Sequence, residues 1–144
     1  MGALSGQIRG LAIAIIRKNG KILVSPGYDA VKDSNFYRLL GGGIDYSESS
    51  IDALHREFKE ELDVEITNCK LLTVSENIFT FNGKPYHEIC FIYEAEFADP
   101  SLYEKEEFKI LDCVDEGDDG KVIWLEVDDS KEQNIFPDGV SELL

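Results

Sequence analysis

The alternation of apolar and polar positions at the start of the chain predicts a β-hairpin. Residues 8–16 are almost continuously apolar, and a second apolar run, residues 22–24, follows the dipeptide Asn19-Gly20. Asn-Gly between two apolar runs is typical of a two-residue hairpin turn, because both residues tolerate positive φ angles. Residues 25–38 mix Pro, Gly, Asp, Asn and aromatic residues without a regular period, and we expect them to form a long loop.

The middle of the chain changes from helical to strand periodicity. Between residues 49 and 62, apolar side chains recur every three or four positions, which predicts one amphipathic helix. Two apolar segments, 71–81 and 86–97, flank Asn82-Gly83 and predict a second hairpin. Acidic stretches between residues 104 and 120 predict a loop before a strand over 121–127, and residues 137–144 predict a short terminal helix that starts with proline.

The length and composition of the chain favour one globular domain. The chain has 144 residues, of which 43% are hydrophobic and 30% charged, so we expect a single domain over residues 1–144. The N-terminus lacks a cationic region followed by a long apolar one, and no apolar run approaches membrane-spanning length. We therefore expect a cytoplasmic protein without a membrane partner. Three cysteines without a C-x-x-C pair predict reduced thiols: Cys69, Cys90 and Cys113.

The charge balance of the chain is strongly acidic. Lys and Arg number 14 against 29 Asp and Glu, for a formal net charge of -15. The field of such a protein repels polyanions, so binding to duplex nucleic acid is disfavoured. An anionic substrate would require bound cations that invert the local charge. A negative charge also simply keeps a protein soluble, so the charge alone leaves both interpretations open.

Three glutamates on the predicted helix are candidate metal ligands. Glu57, Glu60 and Glu61 stand at positions i, i+3 and i+4, so their side chains emerge from one helix face. Carboxylates grouped in this way can hold Mg2+, which prefers oxygen ligands. The same trio is equally compatible with a solvated face, since like charges at these spacings cost only about 0.2–0.5 kcal/mol per pair. The glycines of residues 41–43 favour the metal site over the solvated face, because glycine allows the backbone to approach a ligand closely.

The spacing around these residues resembles the Nudix box, and the sequence is identified as a member of that superfamily. The family pattern is G-x5-E-x7-R-E-U-x-E-E-x-G-U, in which U is apolar. Here it runs from Gly42 to Val64, and the one departure is Asp63 in place of the last glycine. The matching positions are Gly42, Glu48, Arg56, Glu57, Phe58, Glu60, Glu61 and Val64.

The resemblance implies a fold and a metal site. The fold would be α/β (α+β), a Nudix-type α/β/α sandwich with a central mixed β-sheet and a loop-helix-loop metal site. The metal ligands would be Glu57, Glu60, Glu61 and the backbone carbonyl of Gly41. The cofactor would be Mg2+, with Mn2+ as the alternative. Arg56 would orient the carboxylates, and Glu48 and Gly42 would support them without touching the metal.

The resemblance also implies a reaction. A metal-activated water would hydrolyse a diphosphate linkage in a nucleoside diphosphate joined to another moiety. Arg56, Glu57, Glu60 and Glu61 would be catalytic, with Glu116 as the first candidate for a general base. The other candidate bases are Asp118, Glu107, Glu57 and Glu60.

The substrate and partners are less closely defined by the sequence. Arg38, Tyr37 and Tyr46 flank the glycines and are candidate substrate contacts, through phosphate pairing or stacking on a nucleobase. The expected partner is a small nucleotide-like diphosphate, and a homodimer is compatible with the chain. The alternative function is a non-catalytic module that binds a nucleotide or a protein. Retention of Arg56 and of all four box glutamates favours the enzyme.

Overall fold

The computed structural model describes residues 6–111, 120–127, 134–137 and 139–144. These residues form one α-helix, nine strands and two short 3-10 helices, at Pro100–Glu104 and Val140–Leu143. The elements are β1 (Ile8–Ile15), β2 (Arg17–Lys18), β3 (Lys21–Asp29), β4 (Ser34–Gly43), α1 (Ser50–Leu62), β5 (Ile66–Phe81), β6 (Lys84–Phe97), β7 (Glu107–Lys109), β8 (Lys121–Glu126) and β9 (Ile135–Phe136). Within the described ranges, no helix has the length and apolar character needed to cross a membrane.

Both predicted Asn-Gly hairpins are present. β2 pairs with β3 across Asn19-Gly20, whose φ angles are 48° and 79°. β5 pairs with β6 across Asn82-Gly83, whose φ angles are 50° and 78°. Positive φ at both central residues is the geometry of a type I′ turn, which matches the twist of the flanking strands.

The prediction of a long loop over residues 25–38 is wrong, because these residues form most of a third hairpin. β3 and β4 pair from Val24 and Leu39 at one end to Asp29 and Ser34 at the other. Pro26 is tolerated because β8 pairs with β3 only over residues 21–24, so the later part of β3 has no described neighbour on that side. A strand edge does not need the N–H that proline lacks.

The strands form one mixed sheet with the order β5-β6-β1-β4-β3-β8-β7. β1 and β6 are parallel, whereas β1 and β4 are antiparallel. β4 changes partner along its length, since residues 40–43 pair with β1 and the residues before them pair with β3. The change falls between Leu39 and Leu40, next to Gly41, where φ is 138° and an added Cβ would lie 2.1 Å from the carbonyl oxygen of Ala12. Only glycine fits this position.

Apolar side chains cover both faces of the sheet. Helix α1 packs Leu54 and Phe58 onto one face, and Val140 of the C-terminal 3-10 helix is buried against the other. The described residues thus place one α-helix on one face and a 3-10 helix on the other. The predicted mixed α+β architecture is confirmed. The thiol of Cys90 is buried, and that of Cys69 is half-buried.

The limits of α1 are set by local contacts. The Ser49 side chain accepts a hydrogen bond from the backbone N–H of Asp52, which caps the first turn. Asp63 follows the last turn in the left-handed conformation, with φ 54° and ψ 45°, and its N–H donates to the carbonyl of Lys59. Asp63 therefore adopts the backbone geometry that usually selects glycine at a helix end.

Candidate active site

The guanidinium of Arg56 connects the glycine loop to the helix. Its Nε and Nη2 donate to the two carboxylate oxygens of Glu48, each at 2.8 Å, and Nη2 also donates to the carbonyl of Gly43 at 2.8 Å. The hydrogen bonds from Arg56, followed by one from the backbone N–H of Asp45, lower the pKa of Glu48 to about 2. The same contacts with Glu48 raise the pKa of Arg56. This two-pronged, charged pair fixes the loop on the helix.

The remaining donor of Arg56 orients two of the predicted ligands. Nη1 donates to Oε1 of Glu57 at 3.0 Å and to Oε2 of Glu60 at 3.1 Å. The orienting role of Arg56 that the family resemblance implied stays a prediction, and these hydrogen bonds are compatible with it.

Glu57 is a buried carboxylate with one oxygen that no described group satisfies. Its side chain is 1% exposed, and among the described residues Oε2 has no hydrogen-bond partner. Gly42 packs directly against it, since an added Cβ would lie 2.5 Å from the carboxylate carbon. A buried charged oxygen without a partner is costly unless a cation binds it. The donor set therefore fits a hard divalent cation.

The other two predicted ligands lie in different surroundings. The side chain of Glu60 is 45% exposed, whereas Glu61 is buried and lines a cavity beside Gly41 and Gly42. Within the part of the chain that the structure describes, no three carboxylate, thiol or imidazole side chains are grouped closely enough to hold a metal ion. The full ligand set of Glu57, Glu60, Glu61 and the Gly41 carbonyl stays a prediction.

The cavity has a volume of about 410 Å3 and extends from the glycines to an aromatic cluster. Its walls come from β1, β5 and β6 on one side and from the β3–β4 hairpin on the other. The centroids of Phe36 and Phe81 are 5.6 Å apart, as are those of Phe79 and Tyr86. The aromatic residues of the cavity are Phe36, Phe79, Phe81, Tyr86 and Phe136. Sequence analysis missed those on β5, β6 and β9, because these strands are distant along the chain from the glycines.

Cationic and amide side chains also line the cavity. Arg38 does so, as predicted for a substrate contact, and its guanidinium carbon lies 5.8 Å from the centroid of the Phe36 ring. Sequence analysis did not select the remaining polar lining residues that could contact a phosphate or a base, which are Arg9, Lys32, Asn77 and Asn134.

The structure does not bring the other predicted residues to the cavity. Tyr37 packs against an apolar cluster of the sheet and does not line the cavity, and Tyr46 is fully exposed. Glu107 is exposed on β7 and does not line the cavity. Glu116 and Asp118, the other candidate bases, lie outside the described residues.

Comparison with known proteins assigns the chain to a family. The model of the NUDIX domain matches residues 7–142. The chain therefore belongs to the NUDIX domain family. This assignment confirms the prediction of a Nudix hydrolase that the Gly42–Val64 motif carried.

Solved structures share the fold at low sequence identity. A MutT NUDIX hydrolase from Burkholderia pseudomallei superimposes with a TM-score of 0.66 and 24% identity, over 95% of each chain. A MutT protein from Bacillus halodurans gives 0.60 and 18%, over 94% of this chain and 78% of the other. A UDP-X diphosphatase gives 0.51 and 13%, over 93% of this chain and 57% of the other. These likenesses establish the fold alone.

Proposed function

We propose that the protein hydrolyses a diphosphate linkage in a small nucleotide-like molecule, with Mg2+ as the cofactor and Mn2+ as the alternative. One observation carries the proposal. A single cavity joins an aromatic cluster to the glycine-rich end where Gly41, Gly42 and Glu61 lie. A nucleotide has the same two parts, a planar base and a charged phosphate chain.

The side chains of the cavity support one orientation of the substrate. The aromatic rings present flat apolar surfaces, on which a nucleobase stacks favourably. Arg38 and Arg9 supply positive charge along the cavity, and guanidinium groups pair well with phosphate oxygens. The phosphate chain would therefore extend from the aromatic end past Arg38 towards Glu61.

Residues of the glycine loop and the helix would hold the cation. Glu57, whose buried Oε2 lacks a described partner, is the strongest candidate, together with Glu60, Glu61 and the carbonyl of Gly41. When bound, the ion would neutralise phosphate charge and lower the pKa of a water molecule that attacks phosphorus. Arg56 and Glu48 keep the carboxylates in place through the hydrogen bonds described above.

Glu116 remains our candidate for the general base. Leu111, which precedes the segment of residues 112–119, donates its N–H to the backbone carbonyl of Glu61 at 2.8 Å. Ile110 lines the cavity. The described residues just before the acidic segment thus contact the catalytic helix and line the cavity. This supports Glu116, which belongs to that segment, over Glu107, which is exposed.

The names of the structural relatives are compatible with this class of reaction. One is a diphosphatase that acts on UDP-X, and two are MutT proteins. The reaction that we propose for this chain, hydrolysis of a diphosphate linkage, is of the kind that the name UDP-X diphosphatase states. The cytoplasmic location, the exclusion of duplex nucleic acid and membranes, and the homodimer remain predictions from the sequence.

The decisive experiment measures phosphate products from nucleoside triphosphates, ADP-ribose, UDP-sugars and dinucleoside polyphosphates, with and without Mg2+. We expect metal-dependent turnover that falls by at least about 100-fold in Glu57→Gln, because this change removes a buried charge from the ion site. Glu65→Gln is the matched control, since the Glu65 side chain is 67% exposed and pairs with Lys59 outside the cavity.

Two results would oppose the proposal. Equal turnover by Glu57→Gln and wild type would remove Glu57 from the site. Nucleotide binding without any product would favour the alternative function, a non-catalytic binding module on the same fold.

A further inference from the structure

Two hairpins that are separated in the sheet meet at their tips over the cavity. The β5–β6 hairpin lies on one side of β1, and the β3–β4 hairpin lies on the other. β4 pairs with β1 over residues 40–43 and with β3 over residues 34–39, so the tip of the β3–β4 hairpin lies beyond the part of β4 that pairs with β1. Its tip, residues 30–33, contacts the Asn82-Gly83 turn of the other hairpin.

The contact is a reciprocal pair of hydrogen bonds between side chains and backbone. Oδ2 of Asp29 accepts from the N–H of Asn82 at 3.2 Å, and Oδ1 of Asn82 accepts from the N–H of Ala30 at 2.9 Å. The other oxygen of Asp29 accepts from the N–H groups of Val31 and Lys32, at 3.0 and 3.1 Å. One buried carboxylate thus organises its own turn and binds the neighbouring turn.

Asp29 is a buried carboxylate whose contacts stabilise its charged form. Asp29 is 3% exposed, and its burial raises its pKa, but the hydrogen bonds from Lys32, Asn82 and Val31 outweigh that effect and lower the pKa overall. Nζ of Lys32 lies 4.0 Å from the Asp29 carboxylate and donates to the carbonyl of Thr80 at 2.6 Å. The lysine therefore adds a third hydrogen bond between the hairpins.

The aromatic walls of the cavity follow the same two hairpins. Phe36 is on β4 and Phe81 is on β5, and their rings meet edge to face. The tip of the Phe36 ring also packs against Gly27 of β3, where an added Cβ would be 2.5 Å from the ring. The ring of Phe36 cannot move away from Phe81 without moving the β3–β4 hairpin. The spacing of the aromatic walls therefore depends on where that hairpin is held.

We propose that Asp29 and Asn82 form a clasp that holds the β3–β4 hairpin over the cavity and sets the width of its aromatic end. Asp29 is then a positioning residue for substrate binding, and it acts through Phe36. The inference rests on the proposed nucleotide function. It predicts a selective effect on binding, because the clasp shares no hydrogen bond with the Arg56 network that holds Glu48, Glu57 and Glu60.

Asn82→Gly is the test variant. Glycine keeps the positive φ of the turn and removes the side chain whose oxygen accepts from Ala30. Asn19→Gly is the matched control, because Asn19 has the same place in the Asn-Gly turn of β2–β3, away from the cavity. Asp29→Asn alters the same contact from the β3–β4 hairpin, because it removes the carboxylate charge while preserving the shape of the side chain. Either single variant is sufficient if the other does not fold.

Three measurements are needed. Hydrogen exchange reports protection of the Ala30 amide, calorimetry in EDTA reports binding of ADP and UDP, and steady-state kinetics report kcat and KM. In Asn82→Gly we expect faster exchange at Ala30, about tenfold weaker ADP binding, and a KM raised about tenfold with kcat within about twofold of wild type. ADP should be affected more than UDP, because a purine fills more of the space between the rings. Asn19→Gly should match wild type in all three.

The possible outcomes distinguish a failure of the clasp proposal from a failure of the proposed function. If exchange at Ala30 accelerates while ADP binding and KM stay as in wild type, the clasp does not position the cavity and the inference is overturned. A fall in kcat with unchanged KM also overturns it. If wild type binds neither ADP nor UDP and hydrolyses no nucleotide, the proposed function fails, and the positioning role fails with it.

Discussion

Gly42 is the residue at which backbone geometry and chemistry are most closely coupled. Its Cα leaves no space for a side chain, because an added Cβ would lie 2.5 Å from Oε2 of Glu57. Glu57 in turn is held by Arg56 and is almost fully buried. The glycine is therefore required for the position of a carboxylate, and not for an unusual φ angle, since its φ is not in the left-handed region.

Gly42→Ala should consequently lose activity before it loses the fold. We expect turnover to fall at least about 100-fold, because the displaced Glu57 carboxylate no longer faces the ion site. Overpacking should lower the free energy of unfolding by about 1–3 kcal/mol. The control is Gly10→Ala, whose Cβ would meet Ile44 at an ordinary 3.5 Å. Kinetics and urea unfolding of the two variants check this, and equal activity in both would contradict it.

Individual side chains show which parts of the site could be predicted from sequence. The contacts of Arg56 follow the roles that the box spacing implied, because residues on one helix have fixed relative positions. Tyr37 was selected with Arg38 because both precede the glycines. Neighbouring side chains of a strand, however, point to opposite faces, and of these two residues only Arg38 lines the cavity. A prediction of a loop gave no means of telling these faces apart.

At the scale of elements, the ion pair between Glu48 and Arg56 helps to attach the loop before α1 to the helix. Asp45 N–H and the Arg56 guanidinium both donate to Glu48, and their hydrogen bonds lower the pKa of Glu48 from an ordinary 4.5 to about 2. A carboxyl whose pKa is lowered by folding stabilises the folded state when it is ionised. The stabilisation is complete above pH 4.5 and is lost as the pH falls towards 2.

Glu48→Gln should reveal this pH dependence. We expect wild type to be more stable than the variant at neutral pH, and the difference in unfolding free energy to shrink as the pH falls from 4.5 to about 2. Urea unfolding of both proteins at several pH values measures the difference. A difference that stays constant through this window would show that the Glu48 charge does not stabilise the contact between the loop and the helix.

The three hairpins differed in how clearly their local sequence predicted them. The β2–β3 and β5–β6 hairpins each contain an Asn-Gly turn, and both were predicted. The β3–β4 hairpin was missed, because Pro26 and Gly27 interrupt the strand pattern and the turn has Asp33, not Asn-Gly, at a positive φ. Its strand structure depends on pairing and on the contact of Asp29 with Asn82, which is 53 residues away. Contacts at such a distance leave no local pattern in a sequence.

At the scale of the whole molecule, the net charge and the proposed substrate have the same sign. The protein carries a formal charge of -15, whereas the cavity is lined by three cationic side chains and three carboxylates. The cations are Arg9, Lys32 and Arg38, and the carboxylates are Asp29, Glu61 and Glu88. The cavity itself is thus roughly balanced, and the acidic surface dominates the field that an approaching anion meets.

Salt should therefore accelerate capture of an anionic substrate. The Debye length falls from about 30 Å at 0.01 M salt to about 8 Å at 0.15 M, so added NaCl screens the distant surface charges while leaving contacts inside the cavity less affected. At constant free Mg2+, we expect kcat/KM for a nucleoside triphosphate to rise by roughly twofold or more over this range, with a smaller rise for the less charged ADP-ribose. kcat at saturating substrate should stay constant. A fall of kcat/KM with salt would instead mean that Arg9, Lys32 and Arg38 govern the approach of the substrate, in spite of the acidic surface.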